Sequence, residues 1–212
     1  MIYLYSGTPG SGKSLFANNE IRFQLNRRTP RPVIANFELA KDAPIKHPDM
    51  FHYLPNSELT AEYLTDFATD FWNAPDAPEF REEYLLIVLD EVQLVANSRN
   101  WAKDKNRMEL LEFLSQHRKY GYKIIMIAQA AKMIDNQFRM LIEYEVNHRR
   151  LQSMGLLGGI VSLFVGNRVF CRVTYLFQSQ ERLSSEFRIG LSKDMRMYDS
   201  RKTFAQIVGN SA

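Results

Sequence analysis

Residues 7–14 read Gly-Thr-Pro-Gly-Ser-Gly-Lys-Ser and match every fixed position of the G-x-x-x-x-G-K-[ST] phosphate-binding loop. No other stretch constrains the fold as much, because this loop works only between a buried strand and a helix. Both flanks comply. Residues 1–6 form an apolar and aromatic run suited to a buried strand, and residues 14–25 can form a helix. Gly7, Gly10 and Gly12 open backbone angles closed to other residues, so successive amides can turn toward one centre, and the helix adds its positive end. Such a cradle fits a triphosphate. The expected nucleotide contacts are Gly7, Thr8, Pro9, Gly10, Ser11, Gly12, Lys13, Ser14 and Leu15. Lys13 brings a full charge to the β- and γ-phosphates, and the Ser14 hydroxyl suits Mg²⁺.

A metal-bound triphosphate needs a second acidic site, and residues 84–91 supply one. Tyr84-Leu-Leu-Ile-Val-Leu89 reads as a strand buried on both faces and ends in Asp90-Glu91. Ligands of parallel sheets lie beyond the strand C-termini, which puts Asp90 beside Ser14 as the second Mg²⁺ ligand. Glu91 can polarise an attacking water. That adjacent acid favours hydrolysis of ATP over transfer to a metabolite hydroxyl. A third strand, Lys123–Ala128, ends in Gln129. Gln129 is either a sensor of the γ-phosphate or a cap for the next helix.

The pattern predicts an α/β chain: a three-layer P-loop NTPase fold with a mainly parallel central sheet and an appended β-hairpin. Short strands are expected at residues 33–37 and 51–54. A helix is expected over 58–73, where Leu59, Tyr63, Phe67 and Phe71 recur as a core stripe with Leu64 and Ala68 beside them. A second helix is expected over 106–119, with Met108, Leu111, Phe113 and Leu114 inward. Between the Asp90 strand and this helix, the charged stretch 99–105 is read as a loop over the nucleotide edge or a subunit contact. Residues 143–150 alternate as a strand. Gly166-Asn167 suggests a hairpin between Ile160–Val165 and Arg168–Phe177. The domain is expected to span 1–180, and 181–212 to be a mildly basic tail.

At 212 residues with 45% apolar and 24% charged residues, one globular domain is the default. A net charge of +3 is too small to argue for nucleic acid. The lone Cys171 rules out an internal disulfide and fits a reducing compartment. No signal peptide is visible. The most apolar stretch, 156–165, is too short and too glycine-rich for a membrane span. His47, His52, His117 and His148 lack metal-ligand spacing.

Together these residues resemble the N-terminal cytoplasmic domain of the zonula occludens toxin (Zot) family, which includes the filamentous-phage gene I assembly ATPase. The likeness rests on residues 1–14, on Leu86-Ile-Val-Leu-Asp90-Glu91-Val-Gln93, on Gln116-His117-Arg118-Lys119-Tyr-Gly121, on Ile127-Ala128-Gln129 and on Met197-Tyr198-Asp199-Ser200. It implies a P-loop ATPase of the FtsK/HerA-like type that powers phage assembly and extrusion at the cytoplasmic face of the bacterial inner membrane. ATP and Mg²⁺ are the implied cofactors. Implied partners are further copies in a ring, phage assembly proteins, and phage single-stranded DNA or coat protein. The full-length family protein continues into a membrane span and a periplasmic part, which would make this chain a cytoplasmic portion with a juxtamembrane tail. Family members often carry His-Arg-His where this chain has His117-Arg118-Lys119, so the third position departs while Arg118 matches, as a candidate arginine finger for a neighbouring subunit. On the residues alone, complementing a helix C-terminus is the plainer role for that basic run. Three alternatives stand beside the motor: a small-molecule kinase, for which no acceptor motif is present, a nucleotide-gated binding module without turnover, and a DNA translocase.

Overall fold

The computed structural model describes residues 1–94, 105–153 and 168–197. Its first strand, β1 (Ile2–Ser6), runs straight into the glycine loop and helix α1 (Lys13–Leu25). Strands β2 (Val33–Ala35) and β3 (Phe51–Tyr53) follow, then helix α2 (Ala61–Asn73) and strand β4 (Leu85–Leu89). Helix α3 (Lys105–Gln116) passes through a tight turn, His117–Tyr120, into β5 (Tyr122–Ile127). A short helix α4 (Asn136–Met140) precedes β6 (Tyr144–Arg150), and β7 (Val169–Leu176), β8 (Arg182–Ile189) and α5 (Ser192–Met195) complete the described chain.

The strands form one sheet in the order β3-β2-β4-β5-β1-β6-β7-β8. Every pairing from β3 to β6 is parallel, and β6–β7 and β7–β8 are antiparallel. Side-chain alternation then explains why β4 is apolar throughout. Leu85, Ile87 and Leu89 face one layer, with Leu64 and Ala68 of α2 and Leu110, Phe113 and Leu114 of α3. Leu86 and Val88 face the other layer, with Phe16, Ala17, Ile21 and Leu25 of α1. Burial on both faces makes this a three-layer α/β sandwich.

Within the helices the expected stripes shift. In α2 the fully buried seats go to Leu64 and Ala68, while Tyr63, Phe67 and Phe71 pack at the rim of the core. Thr60 caps that helix, its hydroxyl accepting from the Tyr63 N–H at 3.1 Å. In α3 the buried face is Leu110, Phe113 and Leu114, and Met108 is 62% exposed. The helix spans Lys105–Gln116, and at about 3.6 residues per turn Met108 falls on the side opposite Leu110, Phe113 and Leu114.

The C-terminal region departs most from expectation. The proposed hairpin partner Ile160–Val165 lies outside the described residues, as do 99–104 of the charged stretch and 198–212 of the tail. Strand β7 instead forms its hairpin with β8, inside the stretch read as a tail. Leu183, Phe187 and Ile189 alternate there with Arg182, Ser184, Glu186 and Arg188, so the pairing signal was present but exposed on both faces. The next residues cross back over α1. Asp194 is 2% exposed and accepts from Arg22 Nε at 2.5 Å and from Asn19 Nδ2 at 2.9 Å. Met197 is fully buried, and its carbonyl accepts from the Ala40 N–H at 2.9 Å. Residues 182–197 therefore belong to the sheet domain. No helix among the described residues is long and apolar enough to cross a membrane.

Candidate functional site

Parallel β1, β4, β5 and β6 all end on one side of the sheet, and the glycine loop sits there. Gly7, Gly10 and Gly12 take φ values of 139°, 74° and 97°. The Gly7 N–H donates to the carbonyl of Gln129 at 3.2 Å, tying the start of the loop to the end of β5. Thr8, Pro9 and Gly10 lie exposed at the tip, and the buried Ser11 donates its N–H back to the Thr8 carbonyl at 3.1 Å. Lys13 arches over this loop, its Nζ donating to the Gly7 carbonyl at 2.8 Å and to the Thr8 carbonyl at 3.1 Å. Burial pushes the Lys13 amine below its usual range, and the charges of Asp90 and Glu91 act the other way.

Ser14 and Asp90 meet as the motifs demand. The Ser14 hydroxyl donates to Asp90 Oδ2 at 3.3 Å. Asp90 is raised above the usual carboxylate range, first by burial, with the Glu91 charge adding to the shift. A desolvated carboxylate beside a hydroxyl is a hard-oxygen donor pair, and bringing a cation to it would relieve that raised pKa. The pair fits Mg²⁺ on this ground. Among the described residues no cluster of three or more His, Cys, Asp and Glu forms another metal site.

Asp90 is held by a residue that the motifs do not announce. Asn36, just past β2, donates from Nδ2 to the Asp90 carbonyl at 2.9 Å and accepts the Asp90 N–H on Oδ1 at 2.7 Å. A single amide thus fixes the backbone of the metal-site acid from the neighbouring strand. Glu91 follows in a left-handed conformation, φ 48°, its N–H donating to Asp90 Oδ1 at 2.9 Å. That turn, stabilised by the Leu94 N–H to the Glu91 carbonyl at 2.8 Å, separates the two acids, and the Gln93 amide donates to the Glu91 carboxylate. The Gln129 side chain is exposed at the end of β5.

Arg118 lies elsewhere. It follows α3 and precedes β5, at the N-terminal ends of the strands, and pairs with the Glu143 carboxylate. The other Glu143 oxygen accepts from the Ile2 N–H at 3.0 Å. Arg118 is therefore at the opposite end of its own sheet from the phosphate loop. The cation that does stand beside the loop is Arg150, at the end of β6. Its guanidinium lies 3.9 Å from the Cβ position of Gly10 and 5.8 Å from the centre of the Phe170 ring. A cavity of about 360 Å³ opens there, between Lys13, Ser14 and Leu15 on one side and Arg150, Phe170 and Met195 on the other. Its volume suits a nucleoside. Arg150 could have been found from one inference: a strand parallel to β1 and next to it delivers its last residue to the loop.

Beneath the loop, His148 is fully buried, with its ring 4.8 Å from Tyr5 and 5.6 Å from Phe16. Burial, with the Arg172 charge adding to it, lowers its pKa to about 3 from 6.5. The unfolded chain therefore takes up a proton first. Stability is complete above pH 6.5 and declines as pH falls through the window from 6.5 to about 3. The slope contributed by this one group approaches about 1.4 kcal/mol per pH unit. Urea midpoints measured from pH 7.5 to 5 should fall steeply for the parent protein and less steeply for His148→Phe. Parallel curves for the two proteins would remove His148 as the cause.

The zonular occludens toxin (Zot) family model matches residues 1–171. The Gene 1 protein of Escherichia phage If1 is 24% identical over an alignment that covers 100% of this chain and 61% of the phage protein. The chain spans less than two thirds of the length of the phage relatives it matches. Among solved structures, the N-terminal domain of zonular occludens toxin from Neisseria meningitidis superposes with a TM-score of 0.55, at 19% identity, covering 93% of this chain and 98% of that domain. B204, the DNA-packaging ATPase from Sulfolobus turreted icosahedral virus, gives a TM-score of 0.54 at 13% identity, covering 90% of this chain and 97% of B204. At these identities the superpositions establish a fold shared with P-loop ATPases.

Proposed function

The chain belongs to the zonular occludens toxin family, and from that premise we propose that it hydrolyses ATP as the motor domain of a filamentous-phage assembly protein. The observation that carries the chemistry is the convergence of Lys13, Ser14 and Asp90 on one end of the sheet, with the Ser14 hydroxyl 3.3 Å from the Asp90 carboxylate. Lys13 and the loop amides would hold the phosphates, exchanging the Gly7 and Thr8 carbonyls for phosphate oxygens. Ser14 and Asp90 would hold Mg²⁺, which supplies charge neutralisation for the β- and γ-oxygens when bound. Glu91 orients and deprotonates the attacking water. Gln129 reads the γ-phosphate at the end of β5, and Arg150 supplies a cation from within the same chain.

The likeness to the phage Gene 1 proteins is the basis for placing the chain in phage assembly; its proposed place is the cytoplasmic face of the inner membrane, and its proposed partners are phage assembly proteins and phage single-stranded DNA or coat. In a ring, Arg118 would exchange Glu143 for a phosphate bound to the neighbouring subunit. The test is Mg²⁺-dependent phosphate release from ATP over a protein concentration series, with Lys13→Ala as control. A specific rate that climbs with concentration and disappears in Lys13→Ala supports a motor with shared sites. Bound ATP with no turnover at any concentration would instead favour a nucleotide-gated binding module.

A further inference from the structure

The end of the sheet away from the phosphate loop carries its own concentration of charge. Arg27 and Arg28 follow the C-terminus of α1, Arg31 precedes β2 and Arg81 precedes β4. All four line one cavity of about 380 Å³, together with Glu79 and Tyr84. Arg31 is pre-oriented, its guanidinium 4.5 Å from the centre of the Tyr84 ring, and Arg27 lies 5.0 Å over Phe23. Among the described residues no carboxylate forms an ion pair with any of the four. Burial and the like charges of Arg27 and Arg81 lower the Arg31 pKa.

The end of α1 does not account for this cluster. A helix C-terminus is equivalent to about half a negative charge, so with Glu79 it leaves about two and a half positive charges on the cavity. A bound carboxylate would leave most of that excess. A phosphate monoester, at about −1.5 to −2, would nearly cancel it and offers oxygens to several guanidinium forks at once. The cations also converge on a concave pocket rather than running along a groove, which favours a discrete phosphate group over a polymer backbone.

We infer that this pocket is a second anion site, separate from the nucleotide site, which binds a phosphate monoester carried by a soluble compound or by a lipid headgroup. The inference is independent of ATP hydrolysis. It is tested on the full chain carrying Lys13→Ala, which weakens the competing phosphate loop. The probes are glycerol phosphate, vesicles of phosphatidylcholine with and without phosphatidic acid, and a labelled oligothymidylate. Arg28→Gln with Arg81→Gln, both at exposed positions, should weaken binding at least tenfold while far-UV circular dichroism and melting stay unchanged. Arg31→Lys, which keeps the charge but loses the fork and the ring stacking, should also weaken it. Glycerol phosphate binding without vesicle binding supports a soluble ligand. Vesicle binding that requires phosphatidic acid supports a lipid source. Binding of oligothymidylate alone, or glycerol phosphate binding indifferent to the arginine substitutions, overturns the inference.

Discussion

Glu91→Gln should lower steady-state ATP hydrolysis by about 10²–10⁴-fold and leave ATP affinity within about threefold of the parent protein. The substitution keeps the size of the side chain and its capacity to accept from an amide, and removes its charge and its basicity. The left-handed backbone at Glu91 is held by its own N–H on Asp90 Oδ1 and by the Leu94 N–H on its carbonyl, so the variant has no reason to refold locally. Phosphate release and binding of a fluorescent ATP analogue, measured on the same preparation, separate the two effects. An unchanged rate would remove Glu91 from the chemistry. Loss of binding together with rate would mean that the residue positions the loop instead.

The second large effect concerns the first residue of the loop. A Cβ at Gly7 would stand 2.3 Å from the backbone carbonyl oxygen of His148, and its φ of 139° is one that L side chains rarely adopt. The obstacle is main chain, and it cannot swing away. β1 and β6 are paired in register up to Ser6 and Asn147, so relief requires prising β6 off the centre of the sheet. Gly7→Ala should therefore cost about 3 kcal/mol or more, a fall of about 6–12 °C in melting temperature for a chain of this size. Gly10→Ala is the comparison. Its Cβ would meet only the Arg150 guanidinium at 3.9 Å, leaving chiefly the cost of a left-handed alanine, about 1 kcal/mol. Equal melting of the two variants would show that the contact with β6 is not what fixes the loop.

What the chain discloses in linear order differs from what only its topology decides. The loop at 7–14, the apolar run ending in Asp90-Glu91 and the strand ending in Gln129 are local patterns. Each sits where its motif implies, because in a parallel sheet the direction of a strand fixes which end carries the ligand. Asn36 and Arg150 could not be found that way. Asn36 matters because β2 lies beside β4, and Arg150 because β6 lies beside β1, and neither adjacency is written near those residues. Arg118 shows the converse. Its segment matches a family pattern, yet strand direction puts it at the far end of its own subunit. Strand β8 reads as a tail in the sequence because it is an edge strand, where pairing is satisfied by backbone and no face needs to be apolar throughout.

The docking of residues 191–197 across α1 has a mechanical reading. Met197 is a buried anchor whose carbonyl accepts from the Ala40 N–H, and Asp194 is clamped to Arg22 and Asn19 of the helix that begins at Lys13. Tension applied at Met197 would be borne first by these bonds, before any strand of the sheet is loaded. The path from pull to phosphate runs along a single rigid rod. A displacement of α1 would, by the same linkage, be felt at Asp194 and Met197.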